Sequence, residues 1–187
     1  AERAAEFFSQ AAKHDPKDSK AKTALALSQM NLGHTAQAFA DLEQIAASDS
    51  GVTADMALIA SAMRQKDFDK ALQAIANLEK KQPNSPLVHN LRGQVLVAKK
   101  DSPAAKKSFE KALAEDPTYL SAVTNLVAMD LAENKIDQAR QRYETVLAKD
   151  PKNVPAMLSL AQLKARTGAS LDDVASLLKK AVAADSS

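Results

Sequence analysis

A unit of 34 residues recurs along this chain, and the recurrence constrains the fold more than any other feature. Residues 86–119, PLVHNLRGQVLVAKKDSPAAKKSFEKALAEDPTY, are one complete copy. Its first half places Leu87, Leu91, Val95 and Leu96 at helical spacing. Its second half places Ala105, Phe109 and Ala112 on one face of another helix, which Asp116-Pro117 stops. Between them Asp101-Ser102-Pro103 reads as a cap followed by a proline whose missing N–H takes nothing from a first helical turn. Gly93 stands inside the first helix, where glycine costs about 1 kcal/mol against alanine. The pattern therefore predicts a second helix pressed against it, and the unit is a helical hairpin.

The register holds along the chain. Ala71, Ala105 and Ala139 are 34 residues apart, as are Pro83, Pro117 and Pro151. Ala38 precedes Ala71 by 33, which predicts a loop one residue short, and Val174 follows Ala139 by 35, which predicts a residue gained near Gly168. Residues 1–16, with Ala4, Phe8, Ala11 and Pro16, carry the second-helix pattern alone. Complete units follow at 19–51, 52–84, 86–119, 120–152 and 153–187, the fourth with Tyr143 in place of Phe109. The expected class is all-α, with eleven helices in one array. Gly33 with Thr35 predicts a stop and a new cap, and Ser170 with Asp173 predicts a capping box. Asp49-Ser50-Gly51 stands where other units have a terminal proline, so this joint is expected to be the least stiff. The opening half-unit and the absence of an initiator Met predict a piece of a longer protein. The apolar last helix (Leu171, Val174, Leu177, Leu178) predicts continuation past Ser187 or association of the end helices with a second copy.

Gly93, Ala105, Phe109, Ala112 and Pro117 reproduce the Gly-Ala-Phe-Ala-Pro spacing of the tetratricopeptide repeat, and the whole chain resembles that family. His89, Arg92 and Leu96 replace the Trp, Leu and Tyr of its first helix. The resemblance implies a right-handed superhelical solenoid, stabilised by stacking of neighbours.

Little in the chain suggests chemistry. His14, His34 and His89 are scattered and lack a ligand pattern, so neither metal nor cofactor is expected. No catalytic constellation accompanies the Ser and Thr residues, and no enzyme is expected. With no cysteine, disulfides are excluded. The net charge is +2, and the lysine pairs at 80–81, 99–100, 106–107 and 179–180 lie beside acids without interleaved aromatics. They read as solvated helix faces, with no nucleic-acid partner. No run approaches the roughly 18 apolar residues of a membrane span, and no leader pattern opens the chain.

The family resemblance implies that ligands lie along the first helices, and its positions map onto Thr23, Leu27, Met30, Asn31, Met56, Ala60, Met63, Arg64, Asn90, Leu91, Gln94, Val97, Thr124, Asn125, Ala128, Leu131, Ser159, Gln162 and Arg166. Met30, Met56 and Met63 offer a polarizable surface to an apolar partner segment, or fill gaps between helices. Asn90, Gln94 and Asn125 suit an extended backbone, since an amide both donates and accepts. The chaperone-tail clamp of some relatives is disfavoured, because Asn90, Gln94, Pro155 and Ser159 stand where its other ligands, cations among them, belong.

Residues 67–101 and 139–153 are similar to the tetratricopeptide lipoproteins of bacterial exopolysaccharide and PEP-CTERM protein-sorting systems. That likeness implies a Gram-negative periplasmic or outer-membrane-associated location. The expected function is a non-enzymatic scaffold that binds a protein or peptide. The alternatives are the substrate-recruiting arm of a larger enzyme such as a glycosyltransferase, and a self-associating assembly element.

Overall fold

A computed structural model describes residues 2–185; Ala1 and residues 186–187, the outer limits of the first and last segments, lie outside the described residues. Among the described residues there are eleven helices and no strand. They are α1 (Glu2–His14), α2 (Ser19–Asn31), α3 (Thr35–Ser48), α4 (Thr53–Arg64), α5 (Phe68–Lys81), α6 (Pro86–Ala98), α7 (Ser102–Glu115), α8 (Leu120–Ala132), α9 (Ile136–Lys149), α10 (Val154–Arg166) and α11 (Leu171–Asp185). They fall into two compact units: residues 2–84 with 95–100, and residues 85–94 with 101–185.

In the first unit each of α1 to α5 packs on its neighbours in sequence, and α2 also packs on α4, so first helices of successive hairpins touch. Small side chains permit this closeness: Ala38, Ala62 and Ala71 are fully buried, beside Leu42, Ile75 and Leu78. In the second unit α7 through α11 pack in the same serial way. Its main core joins Val123, Val127, Ala139, Tyr143, Val146, Ala156, Leu160 and Leu163, with Leu113, Leu147 and Leu177 against the edge. Gly93 lies under the ring of Phe109, and a Cβ on it would stand 2.4 Å from Cε1. That is the close approach the lone helical glycine predicts. Ala105, Phe109 and Ala112 are fully buried.

Four residues connect each second helix to the next first helix, whatever their sequence. Pro16, Pro83, Pro117 and Pro151 sit exposed in these connections. Within a hairpin the turn passes through one left-handed residue: Gly33, Lys66, Lys100, Asn134 or Gly168. At four of them the following residue donates back across the turn, as from His34 N–H to Gln29 O (3.0 Å) and from Lys135 N–H to Asp130 O (2.8 Å). This satisfies carbonyls that a helix end would otherwise leave open. A lysine in that conformation is strained by its Cβ, whereas asparagine enters it more readily, so Gly33, Asn134 and Gly168 suit their turns by residue type and Lys66 and Lys100 do not.

Three expectations are corrected. The short period between Ala38 and Ala71 comes from α4, which has 12 residues where α2, α6, α8 and α10 have 13, and not from a loop. Thr35 is the first helical residue of α3 and not its cap; His34 takes the cap position without a side-chain bond. Ala4 is exposed, because α1 turns Ala5 towards its packed side. Phe8 and Ala11 are half-buried, and Phe7 stands exposed with its ring edge-on to Phe8 at 5.4 Å. The residue gained late in the chain lies between Gly168 and Leu171, where Ser170 Oγ accepts from Asp173 N–H at 3.1 Å.

Candidate functional site

The residues singled out for a groove lie on the first helices α2, α4, α6, α8 and α10, and the structure treats them unequally. In the first unit Thr23 and Met30 are buried, Met30 at 6% exposure. Leu27, Met56 and Met63 are half-buried, and Asn31, Ala60 and Arg64 are exposed. Arg64 lies over Met30, its Nη2 donating to Sδ at 3.3 Å. Met30 thus fills a gap between α2 and α4, while Met56 and Met63 still present an edge to solvent. Val97, on the part of α6 assigned to this unit, is exposed.

In the second unit Asn90 is buried at 3% exposure and accepts from Asn125 Nδ2 at 2.9 Å. That bond satisfies a buried amide oxygen which would be costly left open. It also spends one Asn125 donor internally, so less of the amide track remains for a ligand. Leu91 is half-buried and Gln94 exposed.

Between α8 and α10 the expected residues do converge. Thr124, Ala128 and Leu131 from α8 and Ser159, Gln162 and Arg166 from α10 surround a hollow of about 210 Å³. Val127, Tyr143 and Leu163 complete its lining. Tyr143 belongs to the second helix α9, and its hydroxyl donates to Thr124 Oγ1 at 3.4 Å. The spacing of first helices creates the space, because both are held by the α9 core through Ala139 and Tyr143. Chemically it is an apolar floor with hydroxyl and amide groups at its rim and one guanidinium. Two larger hollows of about 310 and 300 Å³ lie among α1–α3 and α3–α5, and none of the expected groove residues lines them.

Two buried ion pairs escaped the sequence reading, which placed Lys81 on a solvated face. Asp55, on α4, is 1% exposed and accepts from Lys81 Nζ at 2.6 Å. The same Nζ donates to Ala46 O (2.6 Å) and Gly51 O (3.2 Å). Asp130, equally buried, is held by Arg142 Nε and by Nη2 at 3.4 Å. Each links the two helices of one hairpin. His89 is buried, whereas His14 and His34 are exposed. At the exposed α8–α9 turn, the hydrogen bond and charge of Lys135 hold the Glu133 carboxyl below its usual range, and Glu133 raises Lys135 in return. Among the described residues no group of three or more His, Cys, Asp or Glu could hold a metal ion, and no helix is long and apolar enough to cross a membrane.

None of the curated proteins matches the chain. Among solved structures it is similar to TTC0263, a thermophilic TPR protein of Thermus thermophilus, with 22% identity and a TM-score of 0.61 over 85% of this chain and 88% of that one. MamA of Desulfovibrio magneticus RS-1 matches at 16% identity and a TM-score of 0.60, covering 81% of this chain and 86% of that one. PilW, a widely conserved type IV pilus biogenesis factor, matches at 28% identity and a TM-score of 0.55, covering 91% and 79%. Two family models described as tetratricopeptide repeat match the sequence, one over residues 96–163 and again over 130–186, the other over 56–119. The chain belongs to the tetratricopeptide repeat family.

Proposed function

We propose that this chain is a protein-interaction scaffold which holds a peptide or protein segment against its first helices. The α8–α10 hollow carries this reading, because it joins an apolar floor to rim groups that can bond a peptide backbone. An apolar side chain of the partner enters between Ala128 and Leu131, and Thr124, Gln162 and Arg166 bond to the segment that bears it. The first unit, taken by itself, offers a separate half-buried apolar surface through Leu27, Met56 and Met63. The similarity of residues 67–101 and 139–153 to exopolysaccharide-associated and PEP-CTERM-associated lipoproteins supports service in polysaccharide export or surface-protein sorting at a bacterial envelope. The 28% identity to a pilus biogenesis factor agrees with an envelope assembly role.

The test is retention of proteins from a Gram-negative envelope extract, at low and high salt, by the native chain and by an Ala128→Arg, Leu131→Glu variant of equal helicity. The reading requires a protein held by the native chain through high salt and released by the variant. Equal retention by both, or none by either, removes the α8–α10 hollow as the binding site.

A further inference from the structure

The last helix carries apolar side chains on two stripes. Val174, Leu177, Ala181 and Ala184 form the packed side of α11, which lies against α10. Leu171, Ala175, Leu178 and Val182 form a second stripe about a third of a turn away, and there Leu171 is 87%, Leu178 43% and Val182 68% exposed. The spacing of this stripe alternates four, three and four residues, which is the seam of a coiled coil. Its outer border carries Asp172 and Lys179, one heptad apart and opposite in charge.

We propose that α11 pairs antiparallel with α11 of a second copy of this chain. A two-fold axis between residues 176 and 177 sets Leu171 against Val182 of the copy and Ala175 against Leu178 of the copy. The same axis brings Asp172 beside Lys179 of the copy, and the symmetry repeats the contact. One register therefore satisfies the apolar seam and the charges together. A parallel pairing sets the Asp172–Lys179 border against Val174 and Ala181 of the copy, on the side turned to α10. Charge complementarity thus selects the antiparallel copy over a parallel one. The seam is only about 16 Å long at the helical rise, so the dimer is weak.

Sedimentation equilibrium of the whole chain at low salt, from micromolar to millimolar concentration, tests this. The expected result is a monomer–dimer equilibrium that Leu178→Glu abolishes. Asp172→Lys and Lys179→Asp should each raise the dissociation constant about tenfold, by turning two symmetry-related contacts repulsive. Combined, they should restore it to within about threefold of the native value, because the pairs re-form with signs exchanged. All three side chains are exposed, and circular dichroism checks that helicity is kept. Monomer throughout overturns the proposal, as does failure of the combined variant to restore dimer. Growth beyond the dimer also overturns it, since α11 meeting the exposed face of α1 would be a head-to-tail contact that builds open chains.

Discussion

The connections at 49–52 and 116–119 have the same length and join the same kinds of helix, yet they are held by different means. At 116–119 the closure is local: Asp116 Oδ1 accepts from Thr118 N–H (2.8 Å) and Thr118 Oγ1 (2.7 Å), and Pro117 fixes one backbone angle. Residues 15–18 and 150–153 repeat the device with Asp15 and Asp150. At 49–52 there is no proline, and the bonds come from Lys81, some 30 residues ahead. Its ammonium sits at the carbonyl end of α3, where the helix dipole favours a cation, and is neutralised by buried Asp55. The proline-free joint is therefore tied by tertiary contact, in place of the loosest connection that its sequence suggests. A repeat tolerates loss of a local signal when a neighbouring helix supplies the missing bonds.

The largest expected effect comes from Lys81→Met. Leaving Asp55 buried without its cation should cost about 3–5 kcal/mol in urea denaturation followed by circular dichroism. Asp55→Asn in the same background should recover most of it, and a loss no greater than a surface substitution would break the comparison. Asp116→Ala, which removes two short bonds from a local turn, should cost about 1–2 kcal/mol by the same measurement. A cost equal to that of Lys81→Met would mean that local and tertiary closures are equivalent.

A gain of stability sharpens the contrast. Ser50 occupies the register of Pro16 and Pro117, and Asp49 before it is extended (ψ 135°), as a residue preceding proline must be. Ser50→Pro should therefore stabilise by about 0.4–1 kcal/mol through the unfolded chain, with a raised midpoint in the native and in the Lys81→Met background alike.

The smallest effect is a pH control on a surface turn. Folding lowers the Glu133 pKa, so its contribution is present above the unfolded value and is lost as pH falls through the folded one. Lys135 is raised, so its share is present below the unfolded value and is lost as pH rises through the folded one. Glu133→Gln should slightly flatten the acid limb of a stability–pH curve and leave neutral pH nearly unchanged. A neutral-pH loss as large as that of Asp116→Ala would put this exposed pair on a level with the turn bonds.

Much of the fold was legible because the signals were local. Apolar spacing marks helices, Asp-Pro marks their ends, and a glycine such as Gly93 inside a helix marks a close neighbour, here the Phe109 ring. The candidate site was legible only in part. Family positions named Thr124, Ala128, Leu131, Gln162 and Arg166, which line one hollow, but also Met30 and Asn90, which are buried. Position on a helix gives a direction, while burial depends on what the adjacent helix places there.

The sequence by itself determined an all-helical chain of hairpins at a period near 34, since helix formation and termination depend on residues a few positions apart. Only the tertiary structure decided that Lys66 and Lys100 take left-handed backbone and that Lys81 closes the 49–52 joint. These outcomes share one physical reason. Each sets a local cost, a strained φ or a desolvated charge, against packing between helices, and that balance depends on the helix brought alongside and not on the residues adjacent in sequence.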